Sequence, residues 1–122
     1  MAAWAQSVSG QHLCTTAVTV GELRYGIARP PHGARKECLR AGVDTALGAL
    51  GESGVLAHDR AGADILGVII LERESQGRPI QRADAQVAAI CRSQGAVLAT
   101  RNTSDFDGLG LTLVNPWHSG VI

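Results

Sequence analysis

Short strand-like segments alternate with longer helix-like segments along this chain, and that alternation most narrows the folds available to it. Candidate strands, apolar and partly β-branched, cover residues 12–17, 54–58, 96–100 and 111–114. Candidate helices, with apolar residues three and four positions apart, cover residues 19–29, 33–51, 60–76 and 83–94, and residues 2–8 look like the end of another helix. Strands separated by helices are joined by crossover connections, so the pattern predicts an α/β fold in which helices flank a parallel sheet.

Several helix boundaries can also be predicted. Pro30 and Pro31 end the first helix, Asp59 is a candidate N-cap for the helix at 60–76, and Gly95 suits a left-handed C-cap. The helix at 33–51 has its apolar residues on one side, namely Leu39, Val43, Ala46, Leu47 and Leu50.

An acidic loop follows the third candidate strand. Open α/β sheets bind ligands beyond the carboxyl ends of their strands, which makes this loop a candidate site. An ordinary turn is the competing interpretation. Asp105 with Ser104 suits an Asx or Ser turn, or the cap of a short helical turn, and Asp107–Gly108 is common turn chemistry. On the loop alone, the turn is favoured.

Asp84 begins the helix at 83–94 and the row that faces the core, because Val87, Ala88 and Cys91 follow it at helical spacing. A carboxylate in such a row destabilises the fold unless it is paired, hydrogen-bonded or bound to a metal. An N-cap and a metal ligand are both compatible with an acid at a helix start, so both interpretations stay open.

Glu22 has two interpretations as well. The motif Thr19-x-x-Glu22 matches a capping box, in which Glu22 would accept a hydrogen bond from the Thr19 amide. Gly21 and Gly26 lie in the same candidate helix, where each costs about 1 kcal/mol relative to alanine. They indicate that something approaches the backbone closely on that side, which suits a site as well as it suits packing.

Composition limits the partners. The 122 residues are expected to form one domain over residues 1–117 with a flexible tail at 118–122, and the formal net charge of zero provides no overall attraction for nucleic acid or an anionic membrane. Three scattered cysteines predict neither a disulfide framework nor a zinc site. Since no segment reads as a membrane span or signal peptide, a cytoplasmic protein without membrane contact is expected.

The remaining groups indicate no other chemistry. The four histidines lack metal-ligand spacing such as H-E-x-x-H, and the aromatic residues are too scattered to form a platform for stacking bases. Phosphoacceptor receiver domains also gather acids at strand ends, but they need a lysine at a later strand end. The only lysine, Lys36, is predicted inside a helix, so that interpretation is set aside.

Taken in order, these segments resemble the PIN domains, and specifically the VapC-type toxins of bacterial toxin–antitoxin pairs. The matching stretches are AVTVGELRYGIAR and GRPIQRADAQVAAICRSQGAVLATRNTSDFDGLGLTLVNPW, and the likeness runs from about Trp4 to Trp117. Single pieces such as E-L-x-x-G are weak. The ordered combination of an Asp opening an alanine-rich helix, a G-A-x-L-x-T-R-N strand end, a following D-F and a closing N-P-W is specific.

The resemblance implies a three-layer PIN-like domain and a Mg²⁺-dependent ribonuclease, with Mn²⁺ as a possible substitute. Acidic side chains of such enzymes meet in one pocket. The positions that match are Glu22, Asp84 and Asp105 as catalytic and metal-binding acids, Thr100 and Asn102 as supporting polar residues, and, as a weaker substrate contact, Arg101. The implied partners are an RNA substrate, a small VapB-like antitoxin and a second copy of the chain.

The chain departs from the family at its start. Members begin with a central strand that ends in Asp, whereas residues 1–4 here already align with the helix that follows it. The resemblance therefore predicts an N-terminally truncated PIN-like fold without that first acidic ligand. Two function classes stay open: a ribonuclease toxin, and a catalytically inactive remnant that binds an antitoxin or dimerises.

Overall fold

The computed structural model describes residues 13–116. The chain divides into two compact units, which within these residues are an N-terminal unit of residues 13–57 and a C-terminal unit of residues 58–116. Parallel strand pairs and four helices confirm the predicted α/β class. The predictions for residues 2–8 and 118–122 fall outside the described residues.

The N-terminal unit pairs two short strands around a helical hairpin. Its elements are β1 (Thr15–Thr16), α1 (Ala17–Ala28), α2 (Ala34–Leu50), one 3₁₀ turn (Glu52–Gly54) and β2 (Val55–Leu56). Strands β1 and β2 are parallel, with Thr15 opposite Val55. The two helices and two strands fall within the predicted segments or within two residues of them, although each strand is shorter than expected.

The apolar side of α2 is only partly covered, with Val43, Leu47 and Leu50 half-buried. Leu39 is 46% exposed, and the buried residue of this helix is Lys36. The Lys36 Nζ donates to the carbonyl oxygens of Ala28 at 3.3 Å and Pro30 at 3.1 Å. A helix leaves its last carbonyls without partners inside the helix, so Lys36 satisfies the end of α1. The only lysine therefore has a structural role inside a helix hairpin.

The C-terminal unit is built from two helices and a second strand pair. Its elements are α3 (Arg60–Ser75), α4 (Arg82–Gln94), β3 (Leu98–Ala99), a 3₁₀ turn (Thr103–Asp105) and β4 (Leu113–Val114). Strands β3 and β4 are parallel, with Leu98 opposite Leu113. The predicted caps are confirmed, because the Asp59 side chain accepts from the Gly62 amide at 3.3 Å and Gly95 ends α4 with φ +67°.

One apolar core holds this unit together. Its buried members are Ile69, Ala85, Ala88, Ala89, Phe106, Leu109 and Leu113. The alanines of α4 allow it to pack closely on Ile69 of α3, since they add little side-chain bulk. Phe106 and Leu109 anchor the loop after β3 in the same core, and this fixes the loop beside the first turn of α4. Within residues 13–116, no helix is both long and apolar enough to cross a membrane.

Candidate active site

A cleft of about 430 Å³ opens in the C-terminal unit, where the end of α3, the start of α4 and the loop after β3 meet. The residues that line it are Arg73, Arg78, Pro79, Ile80, Gln81, Asp84, Ser104 and Asp105. Two of the three predicted acids, Asp84 and Asp105, are therefore brought to one place.

Asp84 lies in the first turn of α4 but does not cap it. The helix begins at Arg82 and its N-cap is Gln81, so the N-cap interpretation of Asp84 is wrong. The prediction that Asp84 starts the core-facing row is confirmed, because Val87, Ala88 and Cys91 are all buried. Asp84 itself is half-buried at the end of that row.

The surroundings of Asp84 disfavour its ionised form. Burial raises the pKa of the Asp84 carboxyl above its ordinary value, and the negative charge of Asp105 raises it further. A helix N-terminus ordinarily stabilises an acid in the first turn, so desolvation and the second acid outweigh that effect here. Such a pair of acids attracts a group that returns positive charge to the cleft, either a proton or a metal cation.

The loop after β3 places Asp105 in a 3₁₀ turn rather than at its cap. The turn covers Thr103–Asp105 and its N-cap is Asn102, without a side-chain cap bond, so the predicted capping role of Asp105 is wrong. Asp107–Gly108 is a turn as predicted, with Gly108 at φ +74°. The conformation at Gly108 is left-handed, and a residue with a Cβ adopts it with difficulty.

The remaining predicted residues lie where the loop begins. The Thr100 hydroxyl accepts a hydrogen bond from the Asn102 amide at 3.1 Å, and the Thr100 amide donates to the Val114 carbonyl of β4 at 2.9 Å. Thr100 thereby ties the loop to the end of the strand pair. Arg101 and Asn102 are exposed, and both precede the residues that line the cleft.

Two arginines that the sequence did not reveal as site residues hold this loop. Arg73, 3% exposed near the end of α3, donates from Nη2 to the carbonyl oxygens of Asp105 at 2.6 Å and Asp107 at 3.1 Å. Hydrogen bonds from a charged group contribute about 1.5–3 kcal/mol each. The Arg73 Nε is also buried and has no hydrogen-bond partner within residues 13–116. The loop carbonyls are therefore central to stabilising this buried charge.

Arg78 contacts the loop from the segment between α3 and α4. Its Nη1 lies 2.9 Å from the Asp107 Oδ1, and its Nη2 donates to the Ser104 carbonyl at 2.8 Å. The two acids of the loop consequently differ. The charge of Asp107 is paired with Arg78, whereas the charge of Asp105 acts on Asp84 across the cleft.

A sequence signal for Arg73 does exist. Leu66, Ile69 and Ile70 mark the inward side of α3, and Arg73 continues that row at a spacing of three and four residues. An arginine on a core-facing row requires buried acceptors. Arg78 has no comparable signal, because it lies outside any periodic element.

Glu22 lies in the N-terminal unit, as the sixth residue of α1. The N-cap of α1 is Thr16, whose hydroxyl accepts from the Thr19 amide at 3.0 Å, so the capping box at Thr19 is wrong. That result removes the competing structural role, and Glu22 is exposed. Convergence of Glu22 with Asp84 and Asp105 stays a prediction.

The donors in the cleft suit a hard divalent cation. Within residues 58–116, no third His, Cys, Asp or Glu joins Asp84 and Asp105 to complete a group of metal ligands. Mg²⁺ in proteins is commonly held by one or two carboxylates, with water and substrate phosphate supplying the other oxygens. Two carboxylates that line one cleft therefore fit Mg²⁺ or Mn²⁺, and the open cleft leaves room for the remaining ligands.

The chain is similar to known proteins over most of its length. Residues 2–110 match the family model described as PIN domain. The chain is 32% identical over 116 residues to the plasmid stability protein StbB of Pseudomonas syringae pv. tomato, covering 95% of this chain and 84% of that protein. It is 30% identical over 116 residues to VapC ribonuclease Y4jK of Sinorhizobium fredii, covering 95% of this chain and 83% of that protein.

Solved structures share the fold. The structure of FitAB bound to an IR36 DNA fragment superposes with a TM-score of 0.87 at 28% identity, over 98% of this chain and 83% of that one. The similarity thus extends over nearly the whole chain in both sequence and backbone.

Proposed function

Because the chain belongs to the PIN-domain family, we propose that it is a ribonuclease toxin of a toxin–antitoxin pair, which hydrolyses RNA phosphodiester bonds with the help of Mg²⁺. The observation that carries the proposal is the cleft that Asp84 and Asp105 line together. The name of the VapC ribonuclease relative supports RNA as the substrate.

Asp84 and Asp105 would hold the cation, with Glu22 as a third acid on the strength of the resemblance. Held there beside a phosphodiester, the cation would supply a water of lowered pKa and positive charge to offset that of the phosphate and the leaving oxygen. Mn²⁺ takes oxygen ligands of the same kind and should substitute for it.

The other residues of the site serve positioning and binding in this proposal. Thr100 and Asn102 fix the start of the loop that carries Asp105, through the hydroxyl-to-amide hydrogen bond between them. Arg101 is exposed just before the cleft, and we assign it to an RNA phosphate. The cleft is open to solvent at Asp105, so a flexible single strand of RNA could reach it.

A small VapB-like antitoxin and a second copy of the chain are the proposed partners. The likeness to FitAB, solved on DNA, supports an assembly with another protein. Net charge of zero suits such a partner, since the acids of the cleft can attract a basic side chain without a charged surface around them.

The test is cleavage of a labelled single-stranded RNA by the purified chain in Mg²⁺, in Mn²⁺ and after chelation by EDTA, with the matching DNA as the control. Cleavage of RNA that stops in EDTA and returns with either cation is expected. An active preparation that is indifferent to EDTA would contradict the metal. A folded chain that cleaves no RNA under any of these conditions would favour the inactive binding module instead.

A further inference from the structure

Arg73 is a buried cation that donates hydrogen bonds to the main chain. It lies at the wall of a cleft that holds two carboxylates, yet its Nη2 donates to main-chain carbonyls, those of Asp105 and Asp107. An arginine bound to the carboxylates themselves would neutralise them and compete with a metal cation. Donation to carbonyls instead fixes the loop and leaves the charge of Asp105 available.

Arg78 acts on the other acid of the loop. It pairs with the Asp107 carboxylate at 2.9 Å and with the Ser104 carbonyl at 2.8 Å. One acid of the loop is therefore turned toward an arginine, while the other lines the cleft beside Asp84. The two acids therefore differ in role. Asp107 is a structural carboxylate, whereas Asp105, two residues away, is a candidate metal ligand.

Repulsion between the acids makes this support necessary. Asp84 of α4 and Asp105 of the loop line the same cleft, and like charges that share a site repel each other. Phe106 and Leu109 anchor the loop in the core on the far side of Asp105. The hydrogen bond of 2.6 Å from Arg73 acts on Asp105 itself.

We propose that Arg73 is a positioning residue of the metal site, which holds the Asp105 carboxylate at the cleft by binding the carbonyls of Asp105 and Asp107. The inference rests on the proposed function and extends it to a residue that would act on the cation through Asp105. Outer-shell partners of metal ligands contribute about 10–100-fold to metal affinity, and Arg73 belongs to that class.

Direct binding of Mn²⁺ to the full-length chain, followed by electron paramagnetic resonance, tests this without requiring activity. Arg73→Gln should weaken Mn²⁺ binding by at least about 10-fold. Arg73→Lys keeps the positive charge but not the forked guanidinium group, and it should weaken binding less. Arg60→Gln is the matched control, because it removes the same charge from the same helix. Arg60 is exposed and pairs with Asp64. It lies about 20 Å from Arg73 along the helix axis. It should bind Mn²⁺ within about twofold of the unmodified chain.

A second readout separates positioning from folding. Excess Mn²⁺ should restore RNA cleavage by Arg73→Gln, because both carboxylates remain, whereas Asp105→Asn should stay inactive at any concentration. Thermal melts accompany each variant. If Arg73→Gln does not fold, Arg73→Lys decides, and if neither folds, Arg73 is a residue of the fold and the inference is overturned.

The outcomes distinguish this inference from the function beneath it. If the unmodified chain binds Mn²⁺ and cleaves RNA while a folded Arg73→Gln binds Mn²⁺ equally well, the inference alone is wrong. If the unmodified chain neither binds Mn²⁺ nor cleaves RNA, the proposed function is wrong and the inference falls with it.

Discussion

Replacing Asp105 with asparagine is expected to lower Mg²⁺-dependent RNA cleavage by at least about 100-fold, the upper end of the effect of altering an outer-shell partner. The change removes a ligand and the charge that attracts the cation, while the amide occupies the same volume. Asp105 is exposed, and its contact with Arg73 is made by the main chain, so the fold should be unaffected. Initial rates under saturating RNA and a thermal melt of the same preparation measure the two quantities.

Asp107→Asn is the matched control for that experiment. It changes the same residue type in the same loop, two positions away, but the Asp107 carboxylate pairs with Arg78 rather than lining the cleft. Exposed ion pairs contribute about 0–1 kcal/mol, so cleavage should fall by no more than a few fold. Equal losses in the two variants would assign both effects to the shape of the loop. Full activity of Asp105→Asn would show that the Asp105 carboxylate is not a catalytic or metal-binding group.

Asp84→Asn should abolish cleavage and yet stabilise the fold at neutral pH in the absence of cation. The folded chain holds the Asp84 proton more tightly than the unfolded chain, because burial and Asp105 raise its pKa. Below the unfolded value, about 3.9, the carboxyl is protonated in both states and has no effect. As pH rises from there through the folded pKa, the free energy of unfolding falls. Above the folded pKa the free energy of unfolding has fallen by its full amount. Asparagine does not ionise, so the variant avoids this loss of stability.

Thermal melts between pH 3 and pH 8 test this prediction. The melting temperature of Asp84→Asn should exceed that of the unmodified chain at pH 7, and the difference should vanish at the acidic end. Adding Mn²⁺ should reverse the order. A cation that binds only the folded state stabilises that state, and the variant lacks the Asp84 carboxylate that would bind it. A variant less stable than the unmodified chain throughout this range would show that the Asp84 carboxylate supports the fold.

The parts of the fold that depend on local periodicity could be predicted from the sequence. The helices α3 and α4 have the expected ends because Asp59 and Gly95 are strong boundary residues. The inward direction of Asp84 follows from its spacing to Val87, Ala88 and Cys91, which needs no tertiary information.

Features that depend on distant contacts could not be predicted. The threonines in TTAVTV offer more than one N-cap for α1, and the structure uses Thr16 in an extended conformation rather than Thr19. The Arg73 Nη2 donates to carbonyls 32 and 34 residues further along the chain, and no local sequence pattern encodes contacts at that separation. The strands are shorter than their apolar segments because a strand extends only as far as a partner is hydrogen-bonded to it.

The most direct measurement is a crystal structure of the full chain grown with Mn²⁺, in which anomalous scattering locates the ion. The account predicts an ion in the cleft, coordinated by carboxylate oxygens of both Asp84 and Asp105, and its absence from crystals of Asp84→Asn grown in the same way. A carboxylate of Glu22 at the same ion would establish the third acid. An ion bound away from both aspartates, or no ion at concentrations that support RNA cleavage, would contradict the account.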